Sequence, residues 1–141
     1  MSRKFCRRFL RLISAVPGLY ALVAFACARR VRIEGRSMSP ALLQRERVLF
    51  DRLAFARHRP RTGDIVLVQH PDRPGQRLVK RITAVPGDAA GGRTLERREY
   101  WIEGDNAAAS TDSRAFGPVS RRHLLARAWL VYWPQDNWRR L

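Results

Sequence analysis

The sequence predicts a mainly β protein, a compact domain of short, mostly antiparallel strands preceded by one N-terminal hydrophobic helix. Three observations predict it. Short apolar or alternating runs recur at regular spacing from residue 30 onward. Pro and Gly clusters punctuate them at turn positions. A single uncharged stretch, residues 12–28, precedes them all. With 141 residues the chain is long enough for one domain with a modest core.

Residues 2–11 (SRKFCRRFLR) are basic, and residues 12–28 (LISAVPGLYALVAFACA) form an uncharged run of 17. That length lies at the lower edge for a helix that crosses a bilayer. Arg11 and Arg29 can extend it by sending their charged heads to the interface, and Pro17-Gly18 is a break that spanning helices tolerate. Three arrangements fit this segment. A cleavable signal peptide has the same layout, with Ala26-Cys27-Ala28 as a small-residue cleavage site. A buried or interfacial helix suits the short run. A retained anchor is the arrangement taken forward, giving a basic N-terminus and membrane-anchor helix over residues 1–29 and a folded domain over 30–141. Five Lys/Arg precede the run and Arg29, Arg30, Arg32 and Arg36 follow it, a slight bias toward an inside N-terminus.

Beyond the anchor, Val31 to Glu34 alternates and leads to Gly35, and Val48 to Leu53 is a second strand. Thr62-Gly63-Asp64 is a turn into Ile65-Val66-Leu67-Val68, a continuous apolar run that reads as a buried strand. Pro71, Pro74 and Gly75 mark the next turn, and Arg77 to Val85 alternates again until Pro86-Gly87-Asp88. Gly91-Gly92 is a further turn before a strand over Glu99 to Ile102. A loop spans Gly104 to Pro118, Ser120 to His123 forms a helical turn, and Leu125 to Trp133 is a last β-prone run ended by Pro134. There is no internal repeat.

The net charge of +16 comes almost wholly from arginine: of 28 basic residues only Lys4 and Lys80 are lysines. GC-rich codon usage or attraction to an anionic partner, nucleic acid or phospholipid, accounts for such an excess. The arginines are spread along the chain and are not interleaved with aromatics in the manner that stacks bases, so no nucleic-acid partner is expected and a non-catalytic basic binding protein is the runner-up. Cys6 and Cys27 both lie in the N-terminal segment and form neither a disulfide framework nor a metal motif. His58, His70 and His123 are scattered and read as surface or loop residues; no metal and no cofactor are expected.

Chemistry concentrates in three places. Gly35-Arg36-Ser37-Met38-Ser39-Pro40 puts a hydroxyl in a tight turn directly after a strand, an arrangement that also suits a simple turn cap. A serine is a weak nucleophile until a base takes its proton. Lys80 meets that need: period-2 alternation sets Leu78, Lys80, Ile82 and Ala84 on one strand face, where the lysine is the only polar group. Burial of that amine would lower its pKa toward neutrality, whereas arginine stays protonated and cannot serve. A lysine that reaches past the strand to water fits the same pattern. The third place, Gly104 to Pro118, is dense in turn formers and small polar groups, and contains an Asp–Arg pair able to hold a site rigid.

Together these segments resemble the type I signal peptidases, or leader peptidases. The nucleophile box G-x-S-M-x-P-T-L is matched by Gly35 to Leu42, with Ala41 in place of Thr. The general-base box K-R-(apolar)-x-x-x-P-G-D is matched by Lys80 to Asp88. The last box, G-D-N-x-x-x-S-x-D-S-R-x-(aromatic)-G-x-V, is matched from Gly104 to Val119. The resemblance covers residues 33 to 133, and the short second-to-third-box interval implies a minimal catalytic core. It implies a serine endopeptidase that removes leader or signal peptides, with Ser37 acylated and Lys80 as base. Ser110 would orient the Lys80 amine, Asp112 and Arg114 would form a supporting salt bridge, and Asp105 and Asn106 would shape the loop. Gly35, Met38 and Pro40 would border the substrate and oxyanion region; the Ser37 N–H would be an oxyanion donor, while Gly35 stands where some members carry a donating hydroxyl. The implied partners are a leader-bearing polypeptide and the phospholipid membrane, with a single-pass protein in the cell membrane and its catalytic domain on the outer face. Residues 109–119 and the Tyr132-Trp133-Pro134 end also resemble the nickel-type superoxide dismutase maturation proteases, which would imply a cytoplasmic protein and one dedicated substrate.

Overall fold

The computed structural model describes residues 17–141, and its architecture is set by which strand faces are apolar. Ten strands run through the described residues: β1 (Arg29–Arg32), β2 (Arg47–Asp51), β3 (Ile65–Gln69), β4 (Arg77–Ala84), β5 (Ala89–Ala90), β6 (Arg93–Thr94), β7 (Glu99–Glu103), β8 (Val119–Ser120), β9 (Leu124–Trp133) and β10 (Arg139–Arg140). Helices among the described residues are few and short: α1 (Pro17–Ala26), α2 (Ala54–Arg57) and α3 (Ser113–Phe116), with 3-10 turns at Ala107–Ala109, Arg121–His123 and Gln135–Asn137. Eight strands form one antiparallel sheet in the order β1-β2-β9-β3-β4-β7-β8, with β10 also on β9, while β5 and β6 make a separate hairpin across Gly91-Gly92.

The fold explains why β3 is apolar from Ile65 to Val68. Ile65 and Leu67 join a core with Met38, Leu42, Val48, Phe50, Ala126 and Val131. Val66 and Val68, pointing the other way, join a second core with Ile82, Tyr100, Ile102, Val119 and Leu124. A strand buried on both faces needs no polar alternation. β4 is one-sided, and Lys80, Ile82 and Ala84 are buried on one face while Arg77 and Thr83 are exposed. Its register with β3 sets Lys80 directly opposite Val66.

The long connection between β1 and β2 is the part of the fold that matters most for the site. Ile33 and Arg45–Glu46 continue the strand pairing beyond Arg32 and Arg47. The tip between them is plugged into the core by Met38 and Leu42, 1% and 0% exposed. Glu46, itself buried, accepts the Leu43 N–H at 2.9 Å and a bidentate pair from Arg139 at 2.8 and 2.9 Å. Arg139 also donates to the Ala41 carbonyl at 2.6 Å, so the last strand ties down the tip.

Of the expected anchor, residues 1–16 lie outside the described residues. Among the described residues no helix is long and apolar enough to cross a membrane. The ten residues of α1 rise about 15 Å, about half a bilayer's hydrocarbon thickness. Boundaries elsewhere differ from expectation by one or two residues, as at β1, which spans Arg29–Arg32 because its pairing is fixed by Phe50 and Leu49. Of the three histidines expected at the surface or in loops, His70 lies in the loop that follows β3. It is buried, its Nδ1 accepts the Asp72 N–H at 3.1 Å, and its ring lies 5.0 Å from Phe116.

Candidate active site

Gly35 has φ +85°, a conformation that favours glycine, and it turns the chain out of β1 toward Ser37. Ser37 is half-buried at the edge of a groove of about 480 Å³, which it lines with Met38, Val31, Ile33, Val79 and Lys80. The groove therefore runs between the edge strand β1 and β4. Met38 forms its buried base, and Pro40 is exposed farther along the tip.

Lys80 enters this groove from β4 and is only 3% exposed. Burial pushes its pKa below the ordinary lysine value. The Asp112 carboxylate pulls it partly back up, and the Arg114 guanidinium pushes it further down.

The segment Gly104 to Phe116 packs against the Ser37 turn through its backbone. The Asn106 N–H donates to the Ser37 carbonyl at 2.9 Å. Gly104 is wedged between Ser37 and Ser110 so closely that a Cβ there would sit 2.5 Å from the Ser37 carbonyl oxygen. Asp112 caps α3 and is the hub of the loop: it accepts from the Ser110 hydroxyl at 2.6 Å, the Gly104 N–H at 2.9 Å, and Arg114 Nε and Nη2 at 2.9 and 2.6 Å. Burial alone would raise its pKa, but the bonds from Arg114, Ser110 and Gly104 outweigh that and hold it well below the usual carboxylate range. The Ser110 proton is thus directed at Asp112, which leaves the hydroxyl oxygen able to accept from an amine.

Asp105 lies on the other side of β4, where Arg81 Nε and Nη2 grip it at 2.8 and 2.7 Å. Arg81 also donates to the Gly63 carbonyl at 2.9 Å. Consecutive residues of β4 thus do separate jobs: Lys80 faces the groove, and Arg81 fastens the loop across the sheet. Sequence reasoning missed Asp105 as the partner of Arg81, which alternation along β4 turns away from the Lys80 face. It also missed Ser113, which is 1% exposed and accepts the Ile102 N–H at 2.9 Å, and the Glu46–Arg139 clamp, whose partners are far apart in sequence. Among the described residues no group of three or more His, Cys, Asp or Glu side chains could hold a metal.

A mainly antiparallel sheet with a serine and a buried lysine lining one groove carries the side chains that a serine-type peptidase needs. Comparison with known proteins narrows that class. The family model described as signal peptidase, peptidase S26 matches residues 6–90 and 88–133. The chain is 35% identical to mitochondrial inner membrane protease subunit 2 of Mus musculus, over 99% of this chain and 84% of the relative. It is 34% identical to mitochondrial inner membrane protease subunit 1 of Xenopus tropicalis, over 85% of this chain and 78% of the relative. The Saccharomyces cerevisiae subunit 2 is 30% identical over 97% of this chain and 85% of its own length. The chain belongs to the signal peptidase, peptidase S26 family and is a serine peptidase of signal-peptidase type.

Proposed function

We propose that this protein is a membrane-associated endopeptidase that removes N-terminal leader peptides, with Ser37 as nucleophile and Lys80 as general base. The observation that carries the assignment is a lysine 3% exposed in β4 that borders the same groove as half-buried Ser37. An amine pushed down by burial can be neutral when it meets the serine, which is the condition for general-base work.

In the first step Ser37 Oγ attacks the scissile carbonyl carbon while its proton passes to Lys80 Nζ. The tetrahedral oxyanion is met by the Ser37 N–H, and Gly35 adds no side-chain donor. Collapse breaks the C–N bond, and the Lys80 ammonium returns the proton to the leaving amine. Water then attacks the acyl-enzyme, giving its proton to Lys80, and Lys80 passes that proton to the Ser37 oxygen as it leaves the carboxylic product. Ser110 accepts a hydrogen bond from Lys80 while donating to Asp112, and Arg114 keeps Asp112 ionised; these are positioning residues. Asp105 and Asn106 hold the loop in place. The leader binds extended along the unpaired edge of β1, with small side chains over the apolar floor near Met38, and Pro40 flanks the entrance.

Membrane association is supported by the names of the relatives and by the uncharged residues 12–28. We assign residues 1–29 as a single-pass anchor and 30–141 as the catalytic domain on the outer face. Ser37→Ala and Lys80→Arg should each abolish cleavage of a leader peptide in purified full-length protein, because Arg keeps the charge but cannot accept the proton. Cleavage that survives in Lys80→Arg would overturn the dyad. A panel that includes a nickel-type superoxide dismutase leader separates general processing from a dedicated maturation protease.

A further inference from the structure

Away from the groove, a second cleft of about 590 Å³ opens between α2, the turn before β7 and the 3-10 turn at Arg121–His123. Arg57, Arg59, Arg97, Arg98 and Arg121 line it, and no carboxylate does. All twelve Asp and Glu of the chain lie within the described residues, and none comes within 4.0 Å of these five guanidinium groups. Four of the five are exposed, but Arg121 is half-buried. Its guanidinium lies 4.8 Å from the Phe55 ring centroid and donates only to neutral carbonyls, those of Leu124 at 3.1 Å and Phe55 at 3.4 Å. The Arg121 N–H donates to the Arg98 carbonyl at 2.8 Å, which fixes the two arginines side by side. Five mutually repelling cations gathered without an anion form a site whose stability improves when an anion enters.

What lies beside the cleft indicates which anion. Arg57 stacks 3.8 Å from the Tyr20 ring of α1, and the Tyr20 hydroxyl donates to Asp51 at 2.6 Å, so the helix is docked at the rim. α1 buries Ala24 but leaves Leu19, Leu22 and Phe25 45%, 66% and 52% exposed. An apolar helix surface next to unpaired arginines matches a lipid interface, with acyl chains for the first and phosphates for the second. A nucleic acid or an acidic peptide would satisfy the arginines and leave the leucines in water.

We propose that this arginine cleft binds the phosphate of an anionic phospholipid headgroup and so seats the catalytic domain on the membrane surface next to α1. The proposal rests on the membrane-associated reading above. It adds a headgroup site on a face of the domain distinct from the Ser37 groove.

The test uses full-length protein in nonionic micelles, titrated separately with short-chain phosphatidylglycerol, short-chain phosphatidylcholine and inorganic phosphate, while the backbone amide resonances of Arg97, Arg98 and Arg121 are followed. Phosphatidylglycerol should move these amides and saturate at about tenfold lower concentration than phosphatidylcholine, with affinity falling as salt rises. The double variant Arg97→Ser/Arg98→Ser, at exposed positions that leave the core intact, should weaken phosphatidylglycerol binding about tenfold, and Arg121→Lys should weaken it separately. Both variants should still cleave a soluble leader peptide at the wild-type rate. Equal responses to the two lipids, or an unchanged phosphatidylglycerol response in the double variant, would overturn the site. So would inorganic phosphate binding as tightly as phosphatidylglycerol, or a duplex oligonucleotide binding more tightly than either. Failure of the wild-type protein to cleave any leader would count against the peptidase assignment and leave the lipid titration to be judged by itself.

Discussion

Gly104→Ala puts one methyl group where the structure has no room for it, and its effect can be worked from the geometry. The new Cβ would lie 2.5 Å from the Ser37 carbonyl oxygen, 2.6 Å from Ser110 Cβ and closer still to Ser110 Oγ, against an ordinary contact of 3.4 Å or more. Relief therefore requires a displacement of about 0.9 Å, and one obstacle is the backbone of Ser37 itself. Overpacking of this kind costs about 1–3 kcal/mol of stability. The catalytic loss should be larger, because a shift of about 1 Å in a reacting group can cost about a hundredfold in rate. The assay is single-turnover cleavage of a leader peptide by the full-length variant, with a thermal melt in parallel. Gly18→Ala, a helical site with nothing within 4 Å, is the control and should cleave like wild type. A Gly104→Ala protein that melts normally and cleaves within about twofold of wild type would refute the contact between the loop and the Ser37 turn.

Charge and burial give three further expectations. Cleavage should rise with pH through the Lys80 pKa; Asp112→Asn removes the charge that favours the ammonium and should move the ascending limb to lower pH, while Arg114→Gln should move it higher. Limbs that shift in the same direction in both variants would contradict the coupling of these groups to Lys80. Arg139→Ala leaves the buried Glu46 carboxylate without its cation and should cost about 2–3 kcal/mol in a denaturant melt, less than the full penalty for a buried pair because Arg139 is 34% exposed. Hydrogen bonds to Glu46 outweigh the upward push of burial and hold its pKa below the ordinary value. Its contribution is therefore present above the unfolded pKa and is lost as pH falls through the folded one, so the gap between wild type and Arg139→Ala should narrow in acid. Ser113→Ala strands the buried Ile102 N–H and should cost about 1–3 kcal/mol, read from the same melts.

Much of this was legible one residue at a time. The apolar run Ile65 to Val68 and the alternation from Arg77 to Ala84 are local patterns, and the strands formed there because backbone pairing and face-by-face burial follow the same period of two. The inward position of Lys80 was legible for the same reason. The short strands β5, β6, β8 and β10, of two residues each, were not, since two residues carry no periodicity and only a neighbouring strand defines them. Nor could a sequence disclose that Arg81 closes on Asp105, that Arg139 reaches Ala41 and Glu46, or that the Ser110 proton goes to Asp112. By itself the sequence determined the longer strands, the apolar face that receives a lysine and the segments that carry polar side chains. Tertiary structure decided which of those segments meet, because hydrogen bonds and desolvation act across distances in space that residue order does not encode.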